Sequence, residues 1–156
     1  NTLERITQDT PIPQSNLEPG DLGTNLPTLS KFYEPKDAEL AMVFRKVHFG
    51  HNRHFIQGKD NLARIDRIAD YMQRHPKLYL FIEGHCDERG AAAYNLALGT
   101  RRSNSVRALL VKQGIDHNRI FTMSYGKERP LASGGGENFW KQNRRAQFKI
   151  YEESYQ

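Results

Sequence analysis

The chain has 156 residues, a formal charge of +5 from 23 Lys and Arg against 18 Asp and Glu, and a mean hydropathy of −0.76. That length suits one domain with an ordinary core and is short for two large ones, and no apolar run approaches the roughly 20 residues of a helical membrane span. A single cysteine excludes an internal disulfide framework and a cysteine-based zinc cage; the opening residues Asn1-Thr2-Leu3-Glu4-Arg5 hold no apolar core, so no secretory leader is expected in this chain.

Composition shifts near residue 37. Five of the seven prolines (Pro11, Pro13, Pro19, Pro27, Pro35) precede it. Residues 1–37 carry three bases against six acids, whereas residues 38–156 carry twenty against twelve, a net of +8. The first stretch lacks a sustained apolar period, and each proline removes a backbone donor. Residues 1–37 are therefore expected to be a flexible Pro-rich linker, ordered only where docked, and residues 38–153 to be the domain.

Within the domain, alternation over Val43 to Phe49 predicts a first strand. Leu62, Ile65, Ile68 and Met72 recur at helical spacing, which predicts a helix ending near His75, before Pro76. The apolar run Leu78-Tyr79-Leu80-Phe81-Ile82 suits a central strand buried on both faces. A second helix is expected over Ala92 to Gln113, with Val106, Leu109 and Leu110 as its stripe and Gly114 as the left-handed residue after its end. Ile120 to Tyr125 reads as a strand, Glu137 to Asn143 as a short helix, and Ala146, Phe148 and Ile150 as the inner face of a last strand. The order β-α-β-α-β-(α)-β predicts an α/β (α+β) two-layer sandwich, with helices packed on a small sheet.

The chemistry concentrates in Glu83-Gly84-His85-Cys86-Asp87-Glu88-Arg89-Gly90, between the most apolar strand and the second helix. Strand C-termini open into crevices, and helix N-termini offer unpaired N–H donors. Asp87 lies in this turn, and Arg102 follows about three helical turns into the helix. Facing charges of this kind can clamp a zwitterion: the carboxylate takes an ammonium, the guanidinium a carboxylate. The competing reading has Asp87 capping the helix and Arg102 paired on the surface.

Four blocks then carry a resemblance. They are Glu83 to Gly90, Tyr94 to Val106, Ser124-Tyr125-Gly126-Lys127-Glu128-Arg129-Pro130, and Asn143-Arg144-Arg145-Ala146. In this order and spacing, the chain over about residues 43–151 resembles OmpA-like peptidoglycan-binding domains, most of all those of the Pal lipoproteins of Tol–Pal systems. The resemblance implies a small mixed sheet and non-covalent binding of peptidoglycan stem peptides at the free end of meso-diaminopimelate, whose side chain ends in an ammonium and a carboxylate on one carbon. It implies that Asp87 accepts from the ligand, that Arg102 and helix N-terminal amides near Glu88 to Gly90 hold carboxylate, that Asn95 and Leu98 line the pocket, and that Gly84, His85 and Cys86 make backbone or small contacts. Arg144 and Arg145, beside Asn143, are expected to brace the loop after the third strand. The sequence departs from the family at His51 and Asn52, where an aromatic and an aspartate are usual, and at Cys86, where a small residue or threonine is usual. By the same resemblance the partners are peptidoglycan, a TolB-like propeller protein, and the outer membrane through an N-terminal lipid anchor not present in this chain. The implied location is the periplasmic face of the outer membrane.

Other readings have less support in the residues. His48, His51 and His54 do not share one face of a strand, and no carboxylate completes a metal set, so no metal or cofactor is expected. The basic domain suits polyanions, yet no nucleic-acid-binding signature appears. A peptidoglycan hydrolase using Asp87 or Glu88 lacks a posted His or metal, and adjacent carboxylates at a helix start point apart. The chain is therefore read as a non-enzymatic wall-binding module.

Overall fold

The computed structural model describes residues 27–153. Its elements in chain order are α1 (Ala38–Val43), β1 (Val47–His48), α2 (Lys59–Arg74), β2 (Leu78–His85), α3 (Ala92–Lys112), β3 (Ile120–Gly126), α4 (Glu137–Asn143) and β4 (Arg145–Glu152), with single 3-10 turns at Leu29–Lys31 and His117–Arg119. The sheet runs β1-β4-β2-β3. β2 pairs parallel with β3 and antiparallel with β4, and β4 pairs antiparallel with β1. The mixed two-layer sandwich expected from the sequence is the one that forms. A parallel pair needs a long crossover, and α3 supplies it.

β2 lies second from one edge because its side chains are apolar on both faces. Leu78, Leu80 and Ile82 join Phe148 and Ile150 of β4 and Ile120 of β3 against Ile65, Ile68, Ala69 and Met72 of α2 and Val106 and Leu110 of α3. On the opposite face Phe81 and Phe121 meet Phe32, with ring centroids 5.7 and 6.0 Å apart. Most of the arm expected over residues 1–37 lies outside the described residues. From Pro27 on it is docked: Phe32 is buried, and Tyr33 exchanges two backbone hydrogen bonds of 2.9 Å with Ile150.

Two boundaries differ from expectation. The strand predicted over residues 43–49 shrinks to Val47–His48. Asp37 is the reason: its carboxylate accepts from Glu39 N and Leu40 N and starts helix α1, which takes up Val43. Leu62 does not belong to the inner stripe of α2 and is exposed, because the buried positions begin one turn later at Ile65.

Close approach of α3 to β2 decides where the later site can form. Gly84 and Gly99 touch backbone to backbone: a Cβ on Gly84 would lie 1.8 Å from Gly99 O, and one on Gly99 would lie 2.2 Å from Ser124 Oγ. Gly99→Ala is expected to cost roughly 1–3 kcal/mol, since the helix must lift or Ser124 must turn. Urea unfolding of this variant checks the value; an unchanged midpoint shows that the glycine does not set the contact.

Candidate functional site

β2 ends at His85, and the backbone continues one step further along β3, with Cys86 N donating to Gly126 O at 2.8 Å. The chain then turns through residues 86–91 into α3. Asp87 is 4% exposed. It does not cap α3, whose N-cap is Ala91 and has no side-chain cap. Instead Oδ1 accepts from Arg89 N and Nε, each at 3.1 Å, and Oδ2 accepts from Arg89 Nη2 at 2.7 Å. Arg144 Nη1 lies 3.6 Å from the same Oδ2. Burial pushes the Asp87 carboxyl up, but the Arg89 hydrogen bonds and the charges of Arg89 and Arg144 outweigh it and hold the group below the usual aspartate range. The amides of residues 88–90 precede the helix, so they are not the helix N-terminal donors that the family resemblance implied.

Arg102 is 1% exposed, so it is not paired on the surface. Its guanidinium donates to three backbone carbonyls: Nε to Arg53 O at 2.8 Å, Nη1 to His85 O at 2.9 Å, and Nη2 to Gly50 O at 3.0 Å. It thereby ties the β1–α2 loop to the end of β2. Burial pulls its pKa down, although the three carbonyl oxygens themselves favour the charged form.

Asp87 and Arg102 do face one small cavity, of about 10 Å³. His51, Asn52, Cys86, Asn95 and Leu98 line it as well. Asn95 is fixed there by Nδ2, which donates to Arg89 O and Ala91 O. Asn52 sits at φ 58°, a conformation asparagine tolerates better than most residues, and accepts from Tyr94 Oη at 3.1 Å. Asn52 therefore reaches the rim and the N-terminal turn of α3.

Gly84, His85 and Glu88 turn away from the cavity, while Arg145 and Asn143 hold the loop after β3. Gly84 is spent on the contact with Gly99. The buried His85 ring bonds Glu83 at 3.1 Å and stacks on Tyr125, and only its carbonyl reaches the site, through Arg102. Glu88 is exposed and accepts from Trp140 Nε1 at 3.1 Å. Arg145 donates to Gln147, Asn143 O and Arg129 O, and burial lowers its pKa to about 10. Asn143 holds the loop at Leu131 and Ala132. Arg144 reaches the pocket itself: beside its contact with Asp87 it donates to Phe49 O at 2.7 Å and to both oxygens of Glu137, at 3.1 and 2.7 Å.

Sequence reasoning missed Arg89. Its guanidinium covers Asp87 and lies 3.8 Å from the centre of the Trp140 ring, with the side chain 31% exposed. The signal was an arginine two residues after the turn aspartate, where the chain can fold back on itself. Around this turn two carboxylates, Asp87 and the Glu137 that pairs with Arg144, stand among three guanidiniums, those of Arg89, Arg102 and Arg144.

Cys86 is buried, and its Sγ donates to Asn95 O at 3.2 Å. Burial pushes the thiol up to about 11, so it stays protonated at neutral pH. The native protein is expected to react slowly with an aromatic disulfide reagent at pH 8 and to release one equivalent after unfolding; rapid native release contradicts this burial. Among the described residues no group of three His, Cys, Asp or Glu is placed to hold a metal ion.

Residues 49–144 match the OmpA family. The chain is 48% identical over 87 residues to a peptidoglycan-associated lipoprotein of Rhizobium meliloti (strain 1021), covering 56% of this chain and 49% of that protein. It is 37% identical over 109 residues to the peptidoglycan-associated lipoprotein of Haemophilus influenzae, covering 70% of this chain and 71% of that protein. The chain spans about half the length of the rhizobial relative. Among solved structures, the peptidoglycan-associated lipoprotein from Burkholderia pseudomallei superposes with a TM-score of 0.66 at 38% identity, covering 68% of this chain and 89% of that one. The C-terminal domain of Helicobacter pylori MotB shares the fold, with a TM-score of 0.63 at 22% identity over 70% of this chain and 86% of that one.

Proposed function

Because the chain belongs to the OmpA family, we propose that its domain binds peptidoglycan without cleaving it, gripping the diaminopimelate end of a stem peptide at Asp87. The observation that carries this reading is the buried Asp87 carboxylate at a strand end, closed over by the partly exposed guanidinium of Arg89. A ligand ammonium takes the place of that guanidinium on Asp87, and Arg89, released along the Trp140 ring, turns to a ligand carboxylate. Arg144 stands on the same side, with a charge only part-neutralised by Glu137. Arg102 acts by shaping the pocket wall and adds its field without moving. The cavity of about 10 Å³ is the closed form and holds about one water, so the Arg89 side chain must swing for a ligand to enter. Asn52 offers an uncharged acceptor at the rim, and His51 a second polar contact.

The wider reading follows the names of the relatives. Attached to the outer membrane through a lipid anchor, such a domain tethers that membrane to the wall from the periplasmic side, within a Tol–Pal system and with a TolB-like propeller as protein partner. The test uses purified sacculi. The protein is expected to co-sediment with diaminopimelate-containing sacculi, to release no soluble fragments, and to be displaced by a diaminopimelate stem peptide at moderate salt. Fragment release supports a hydrolase instead. Binding that vanishes with salt and ignores the peptide supports a general polyanion binder.

A further inference from the structure

A second charged feature lies on the far side of β1, away from the Asp87 cavity. The outer edge of β4 is covered by Val47 and His48 opposite Ala146 and Arg145, and again by Tyr33 opposite Ile150. Between these two covers the edge opens at Gln147 and Phe148 into a cleft of about 310 Å³. Arg45, Lys46, Arg64 and His48 line it, together with one acid, Glu34.

The local structure holds this cleft in shape. Asn61 of α2 clamps the His48 backbone on both sides, accepting from His48 N at 3.2 Å and donating to His48 O at 3.0 Å. Arg64, one turn further along α2, donates Nη1 to Lys46 O at 2.6 Å, which leaves its other donors uncommitted. Among the described residues Arg45, Lys46 and Arg64 make no ion pair with any acid. Asp60 and Glu34 are the acids nearby, the first along α2 and the second in the cleft lining.

The His48 ring reports the resulting field. It is lowered to about pKa 4, first by burial and then by Arg64, Lys46, Arg145 and Arg144. Three cations around a shaped cleft, only partly offset by Asp60 and Glu34, raise one another's energy, and an anion relieves all of them together. We propose that this cleft is an oxyanion-binding site that takes a phosphate or carboxylate group of a ligand larger than the group itself. Arg64 and Lys46 hold the oxygens, Arg45 closes from the solvent side, and the exposed edge at Phe148 borders the rest of the ligand.

The test needs no wall material, so its outcome is independent of the peptidoglycan reading. Backbone amide shifts of residues 45–48 and 64 are followed by NMR at pH 6.5 during titration with inorganic phosphate and, separately, with citrate, at ionic strength matched by sodium chloride. Saturable shifts confined to these residues are expected with at least one probe. The preferred probe tells a phosphate-bearing ligand from a carboxylate-bearing one. The His48 ring, titrated with the probe present, is expected to protonate at least one pH unit higher than without it, because a bound anion stabilises the imidazolium. R45Q is expected to weaken binding several-fold, and the double variant R45Q with R64Q at least tenfold; the exposed Arg45 makes no hydrogen bond, so R45Q stands even if R64Q loosens the β1–α2 contact. Unsaturable shifts with both probes, or R45Q binding as tightly as the unaltered protein, overturn the proposal.

Discussion

Arg102→Leu is expected to lower stability by about 3 kcal/mol and to abolish sacculus binding together with it. Leucine fills part of the volume but donates nothing. The carbonyls of Gly50, Arg53 and His85 lose their partner, and each buried acceptor left unpaired costs roughly 1–3 kcal/mol. Relief from holding a charge in a buried place offsets part of that sum. The loop carbonyls of Gly50 and Arg53 can also turn toward water. A loss of about 3 kcal/mol lowers the melting temperature by roughly 10 °C in a domain of this size. Binding falls because the loop carrying His51 and Asn52 is no longer tied to the end of β2. Arg102→Lys is expected to lie between the two, since one ammonium cannot span three carbonyls in a fixed fork. Thermal melts read beside sacculus sedimentation decide the matter. A variant that melts normally yet fails to bind shows that the guanidinium serves the ligand directly and not the scaffold.

Asp87→Asn is expected to reduce affinity for the stem peptide by roughly 10- to 100-fold, the size of one charge-assisted hydrogen bond of about 1.5–3 kcal/mol. The fold is expected to survive. Arg89 is partly exposed and finds water, and Arg144 keeps Glu137 and Phe49 O. An isotherm with soluble stem peptide, beside a urea melt, separates the two effects; unchanged affinity in a folded variant removes Asp87 from the site. The pH dependence has a definite sign. The folded pKa of Asp87 is depressed, so its contribution to stability is fully present above the unfolded value near 3.9 and is lost as pH falls through the lower folded value. Binding through this group is therefore flat from neutrality to about pH 4 and falls only below it. The asparagine variant is expected to lack that fall.

The different surroundings of Asp87 and Arg102 show why part of the site escaped a reading of spacing. Both were legible as members of one constellation, because a polar turn after an apolar strand is a strong local signal. Their partners, Arg89 for one and three backbone carbonyls for the other, were not. A charge fifteen residues away reads as a ligand contact or as a surface pair, and nothing local tells that three carbonyls from two distant segments converge on it. Arg89 was hidden for a related reason. It sits two residues from Asp87, and what holds it there is Trp140, fifty-one residues further along the chain.

The sequence by itself determined the element order from the first strand on, the central strand and most of the helix stripes, because apolar period and turn chemistry act over a few residues and survive any tertiary arrangement; it missed α1 and misplaced Leu62. It determined family membership too, through four short blocks in register. The length of β1 is set locally, by the Asp37 cap that starts a helix, whereas the tertiary structure alone decided the docking of Phe32 on the open face of the sheet. It also decided the buried inner face at the start of α3. There Asn95, Gly99 and Arg102 replace the apolar stripe that periodicity looks for. Polar groups can be buried only where partners from elsewhere in the chain satisfy them, and those partners come together only in the folded molecule.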